Sequence, residues 1–263
     1  METMFGDRLR TWRSAHGMSQ LDLASRADVS QRHISFIETG RSRPSREMVI
    51  HLADILDVPP REQNLLLAAA GHSPAYSETA LEDLDEIREA LDYMLAAHEP
   101  HLAMVVDRRW DVVRANSVAT RFMSRLFPTP PDWATPMNVM RLNFHPEGLR
   151  EHTVDWMSSA AALLRRLERD AASHPNDAEL GNLLEEVRAY PGVDSLPGTP
   201  RPRDGDLLVP VTYRVADDEI SLFTTISIIG DAHDLTLAEL RLETFWPVDD
   251  ASRRSWQRLF ARS

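Results

Sequence analysis

The 263-residue sequence predicts a multidomain chain: an all-α five-helix module followed by an α+β module with an antiparallel sheet. Three observations predict it. Apolar residues recur at helical spacing in five short segments up to Gly71. From Leu102 the pattern changes to short apolar runs bounded by turn residues. Charge divides along the same line: residues 1–50 hold 8 Arg against 6 acidic residues, and the remainder holds 21 against 35. With a net charge of −12, only the amino-terminal fifth is suited to a polyanion.

Composition narrows the classes. Hydrophobic residues make up 43% and charged residues 27%, as in an ordinary globular protein. Cysteine is absent, which excludes disulfides, thiolate metal sites and cysteine nucleophiles, and fits a reducing compartment. All 29 basic residues are arginine, which a GC-rich coding sequence accounts for more simply than nucleic-acid binding does. METMFGDRLR lacks the apolar core of a signal peptide, and no run approaches ~18 apolar residues, so a cytoplasmic protein without a membrane partner is expected.

Phe5, Leu9 and Trp12 define the first helix, closed by Gly17. Ser19 caps a second, with Leu23, Ala24 and Ala27 facing inward. Asp28-Val29 forms a turn. Ser30 then caps a third helix that runs to Thr39. Its Ile34 and Ile37 share one face, while Gln31, Arg32, His33 and Ser35 offer hydrogen-bonding groups on the other. Gly40 closes this helix and Pro44 bars continuation. A fourth helix spans Ser45–Leu56 and a fifth Arg61–Ala70. Two short helices joined by about three residues, with an apolar residue in the turn, form a helix-turn-helix.

The stretch from Phe5 to about Val58 resembles the Cro/CI-type (λ-repressor-like, XRE family) regulators. The likeness rests on Arg13, GMSQ opening the second helix, VS opening the third, and IETGRSRPS leaving it. It implies double-stranded operator DNA as partner. Gln20 would hold a phosphate at the second helix's start. Ser30 would start a reading helix whose Gln31, Arg32, His33 and Ser35 reach base edges. Arg41 and Arg43 would meet the DNA backbone, adding affinity and salt dependence. Glu38 matches the position that pairs with the first-helix arginine, here Arg13. Asp28 stands where the family carries glycine, and aspartate tolerates the left-handed conformation better than most residues. One such domain covers a half-site, so a homodimer on a near-palindromic operator is expected.

Residues 72–98 read as a hinge, Gly71-His72-Ser73-Pro74, and a connecting helix over Ala80–Ala97 with an acidic, solvated face. His98-Glu99-Pro100-His101 has the look of a zinc motif, but the proline breaks the geometry it needs, so no metal is expected. The domains are therefore placed at 1–71 and 99–263. In the second, LAMVVD and WDVVRA read as paired strands, and Asn116 caps a helix carrying Val118, Ala119, Phe122, Met123 and Leu126. The loop FPTPPDWATP leads to helices at Met137–Leu142, Glu147–Ala172 and Asn176–Ala189. Strands LLVPVTYRV, EISLFTTISII and LTLAELRLETFWP complete an α+β layout.

This order resembles a PAS fold, and more narrowly the ligand-binding domain of MmyB-like regulators. HEPHLAMVVDRRWDVVRANSVATRF and FHPEGLREHTVDW carry that likeness, and ETGRSRPSREMVIHLADILDVPPREQNLLLAAAGHSPAY extends it through the junction; it weakens over Leu180–Gly205. The resemblance implies a small apolar, fatty-acid-like ligand. Trp110, Met140, Phe144, Trp156, Met157 and Phe223 supply bulky apolar surface around the expected cavity, under the Glu147–Ala172 helix. Arg141 or His145 would meet a carboxylate. For each apolar residue taken singly, ordinary core packing is a better account than ligand contact, with Trp156 the preferred lining residue. No phosphate-binding glycine loop, GxSxG or paired metal motif occurs, so neither catalysis nor a cofactor is expected. An alternative is a DNA-binding regulator whose second domain only dimerises or meets a protein partner.

Overall fold

Residues 3–129, 131–197, 210–229 and 234–260 are described by the computed structural model of the chain, which divides into two units, the first running to Glu78 and also taking in Asp234 and Leu235, the second holding the remainder. The first unit contains α1 (Thr3–Ala15), α2 (Gln20–Arg26), α3 (Gln31–Glu38), α4 (Arg46–Ile55) and α5 (Pro60–Ala69). Each short helix is closed by local chemistry. Ser19 and Asp22 form a reciprocal capping box on α2. Ser30 and Ser45 accept from the backbone N–H of His33 and Met48. Pro60 opens α5, where its missing N–H leaves no bond unmade. Leu9, Leu23, Ile34, Leu52 and Leu67 are wholly buried in one shared core.

The sequence reads Gly71-His72-Ser73-Pro74 as a hinge, but these residues and those to Glu78 belong to this unit. His72 Nε2 lies 3.0 Å from the Pro44 carbonyl, and the Asn64 amide oxygen accepts from the backbone N–H groups of Ala75 and Tyr76 at 2.8 and 3.1 Å.

The second unit begins with a 3-10 turn, Leu81–Asp83, and α6 (Asp85–Ala97). The expected single helix from Ala80 breaks at Leu84, whose φ of −105° and ψ of 65° are not helical. There follow β1 (Ala103–Val106), β2 (Val112–Ala115), α7 (Ser117–Leu126), α8 (Val139–Phe144), α9 (Trp156–Ser173), α10 (Ala178–Ala189), β3 (Val211–Val215), β4 (Asp218–Ile228), α11 (Leu235–Glu239), β5 (Arg241–Pro247) and α12 (Asp250–Phe260). All strand pairs are antiparallel, in the order β2-β1-β5-β4-β3.

Side chains alternate across a strand, so β1 faces two ways. Ala103 and Val105 pack under Leu91 and Leu95 of α6, whereas Met104 and Val106 join clusters on the opposite face. Both faces are covered, which is why LAMVVD reads as an unbroken apolar run. Two clusters share that inner face. One gathers Phe122, Tyr213, Leu222, Trp256 and Phe260. The other gathers Trp110, Met140, Phe144, Trp156 and Leu167.

Several expected elements are corrected. LTLAELRLETFWP is not one strand: its first part is α11, and β5 covers only Arg241–Pro247. The expected Glu147–Ala172 helix splits into a 3-10 turn, Leu149–His152, and α9, because Thr153 is extended and bridges Tyr213. The helix read at Met137–Leu142 starts after its cap, Asn138, and runs to Phe144. The sequence reading missed α12, although Trp256 and Phe260 at i, i+4 carry its signal. Leu207–Val209 of the expected LLVPVTYRV strand lie outside the described residues.

Candidate functional site

The helical unit exposes one polar helix face. Ser30 fixes the start of α3, and Ile34, Ile37 and Glu38 anchor its inner side. Gln31 and Arg32 are exposed, with His33 and Ser35 half-buried beside them. The Arg32 guanidinium sits 5.0 Å from the centre of the Phe36 ring, and Arg41 sits 5.9 Å from the same ring. Phe36 therefore carries two cations at once. The sequence reading did not single it out, although an aromatic four residues after one arginine and five before another is a visible signal.

A charged frame holds α3 against α1 and α2. Arg13 forks onto the Glu38 carboxylate at 2.7 and 3.1 Å, as the sequence led us to expect. Gln20 donates to the same carboxylate at 2.8 Å, and Arg10 donates to the Glu38 carbonyl at 3.2 Å. Burial pushes the Glu38 carboxyl up, but these donors outweigh it and hold it below the usual carboxylate range. Gly6 permits the close approach, since a Cβ there would lie 2.3 Å from the Glu38 carbonyl oxygen. Asp28 adopts the left-handed conformation at φ 52°, so the turn survives without glycine.

Two residues assigned to phosphate by resemblance have internal partners. Gln20 faces Glu38, and Arg43 donates to the carbonyls of Ala70 and Gly71 at 2.8 and 3.2 Å, closing the end of α5. Both tie elements of the domain together. Arg41 remains exposed on the loop after α3.

In the second unit a cavity of about 60 Å³ lies on the inner face of the sheet. Met104, Tyr213, Leu222 and Phe245 form its sheet wall; Phe122 and Met123 of α7, with Leu142 of α8, face them. A wider, more open hollow of about 300 Å³ lies between α7 and Phe127, Pro131, Ala134, Thr135 and Met137. The two share Ala115, Ala119, Met123 and Met137 as a common wall.

None of the eight residues expected to contact ligand lines either space. The reason is the second cluster, which absorbs the bulky side chains. Trp110, Met140, Phe144 and Trp156 are buried there. Trp110 donates to Asp170 at 3.1 Å and is flanked by the guanidiniums of Arg166 and Arg241, while Trp156 donates to the Asn143 carbonyl at 2.8 Å. Met157 is exposed. Phe223 points to the opposite sheet face from its neighbour Leu222, which lines the cavity. Arg141 is committed to Glu186 through contacts of 3.0 and 3.1 Å, and His145 stacks on Trp133 at 3.9 Å. The α9 helix likewise packs with the second cluster and does not cover the cavity.

Deeper on the inner face, Glu243 is 4% exposed and its nearest cation, Arg166, lies 4.0 Å away. Burial pushes the Glu243 carboxyl above its ordinary range, and burial with the Glu243 charge pushes the Tyr213 phenol up. Among the described residues, no helix is long and apolar enough to cross a membrane and no cluster of three or more His, Asp or Glu side chains is arranged to hold a metal.

Two family models match the chain. A helix-turn-helix domain matches residues 4–66, and the MmyB-like transcription regulator ligand binding domain matches residues 87–259. No curated protein matches it.

Proposed function

The chain belongs to the MmyB-like transcription regulators, and on that premise we propose how its DNA-binding and ligand-binding domains divide the work. The first reads operator DNA through Gln31, Arg32, His33 and Ser35, with Arg41 on the backbone. Ser30 sets the helix start, while Gln20 and Arg43 act by holding the domain's frame. One domain spans a half-site, so the active species is a homodimer in the cytoplasm.

The second domain senses a small apolar ligand built on an acyl chain of the fatty-acid kind. The observation that carries this reading is the apolar cavity on the inner sheet face. The strand order β2-β1-β5-β4-β3 supports a PAS-like fold for the domain. An apolar chain entering there adds about 0.8 kcal/mol for each buried methylene. To regulate, the ligand must favour one arrangement of the paired DNA-binding domains; tight but indifferent binding switches nothing.

The test compares operator affinity with and without a saturating acyl-chain compound, alongside the melting temperature across a chain-length series. Rising stabilisation with chain length and a changed operator affinity are expected. A domain that gains no stability from any member leaves only the dimerisation role.

A further inference from the structure

One aromatic side chain of α3 belongs neither to the core nor to the set of base-reading groups. Phe36 is half-buried, yet among the described residues the apolar cluster that joins the five helices forms without it. Its ring instead holds the Arg32 guanidinium 5.0 Å from its centre and the Arg41 guanidinium 5.9 Å away. Both distances lie within reach of a cation–π attraction. Arg32 and Arg41 are exposed, and neither guanidinium has an ion-pair or hydrogen-bond partner among the described residues. Their N–H edges are free for an incoming acceptor.

The backbone brings both cations to this one ring. Arg32 precedes Phe36 by four positions, and a long helical side chain leans back over the preceding turn. Arg41 arrives through the way α3 ends. Gly40 is left-handed at φ 72°, and its N–H donates to the Ile37 carbonyl at 3.2 Å. The Arg41 N–H then donates to the Phe36 carbonyl at 2.8 Å. This is a Schellman ending, in which the residue after the left-handed glycine packs against the side chain at the Phe36 position. Here a guanidinium on a ring takes the place of the usual apolar contact.

Two like charges beside one ring repel, and the negative ring face offsets part of that repulsion. Arginines already held near their working positions also lose less rotamer freedom when they bind. Resting on the DNA-reading role proposed above, we infer that Phe36 is a positioning residue for operator recognition. Its ring sets Arg32 for the base edges and Arg41 for the DNA backbone before DNA arrives. Reading and anchoring are coupled through one side chain.

The experiment uses the full chain and a duplex recovered with it by selection from a randomised pool. Phe36→Leu, Phe36→Tyr, Arg32→Ala and Arg41→Ala are compared singly, and each arginine change is combined with Phe36→Leu. Phe36→Leu is expected to weaken binding about three- to tenfold with helix content unchanged, whereas Phe36→Tyr, which keeps a ring, stays within about twofold. Each arginine change is expected to cost less in the Phe36→Leu background than in the native one, which a merely structural Phe36 would not produce. Should the leucine variant fail to fold, Phe36→Met takes its place in the cycle. Equal costs in the two backgrounds for either arginine, or tighter binding by Phe36→Leu, overturns the inference and leaves the DNA-reading role intact. Arg32→Ala with unchanged affinity and sequence preference overturns both.

Discussion

At the scale of single residues, Glu38 explains most about how the reading helix is held. Its carboxylate gathers Arg13, Gln20 and Arg10, and so ties three helices together. Removing Arg13 takes away the forked cation and leaves the buried carboxylate with only Gln20 and the longer Arg10 contact, so Arg13→Met alone is expected to destabilise the domain by about 3 kcal/mol. Arg13→Met combined with Glu38→Leu is expected to cost less than that single change, which a double-mutant cycle in urea checks. The sign with pH follows from the lowered Glu38 carboxyl. Its contribution is complete above the unfolded carboxylate range and is lost as pH falls through the folded value, so the gap between the protein and Glu38→Gln narrows on acidification.

Substitutions at Arg32 and Arg43 are expected to separate recognition from architecture. Arg32→Ala is expected to cost about 1–3 kcal/mol of operator binding and to relax one base position, in a binding-site selection assay. Arg43→Ala is expected instead to lower the melting temperature, since it frees two carbonyls at the end of α5. The Arg13–Glu38 pair was legible in the sequence because the family pattern fixes both positions. The internal partners of Gln20 and Arg43 were not, because a long polar side chain reaches DNA or its own domain from the same backbone position.

At the scale of elements, the turn between α2 and α3 is set by one residue. Asp28 holds φ 52°, a conformation that a β-branched side chain adopts poorly. Asp28→Val is therefore expected to destabilise the helical domain by about 1–2 kcal/mol, measured by thermal or urea unfolding. The helical domain was readable almost throughout, because serine caps and 3.6-residue spacing are local signals. The α+β domain was readable where a continuous apolar run, a cap or alternation is strong, as at β1, α7 and β4. It was misread where a local signal was ambiguous or the outcome depends on distant partners: Thr153 is extended because it meets Tyr213, and Leu235–Glu239 is helical, as its Leu, Ala and Glu favour, although its Leu-Thr-Leu alternation reads as a strand. The bulky residues expected around a cavity lie in the neighbouring cluster for the same reason. Spacing shows which side chains are apolar, but not which of two clusters on one sheet face they enter.

At the scale of the whole molecule, two cores imply two independent sources of stability. A ligand confined to the second domain stabilises that domain by about 2.7 kcal/mol when present at a hundred times its dissociation constant. Calorimetry is expected to show this as an upward shift of one transition, with the other moving only to the extent that the domains are coupled. The charge division has the same scale. The acidic excess lies outside residues 1–50, so operator binding is expected to weaken steeply with added salt through the arginines of the first domain alone.

The placement of tryptophan turns this division into something visible with light. Of the 6 indoles, only Trp12 belongs to the helical domain; Trp110, Trp133, Trp156, Trp246 and Trp256 belong to the other. Intrinsic emission therefore reports almost entirely on the sensor. Trp133 stands in the segment bordering the outer hollow, its ring stacked on His145 at 3.9 Å. Contact with imidazole quenches indole emission, so any guest that lifts this segment off His145 brightens the protein without a dye.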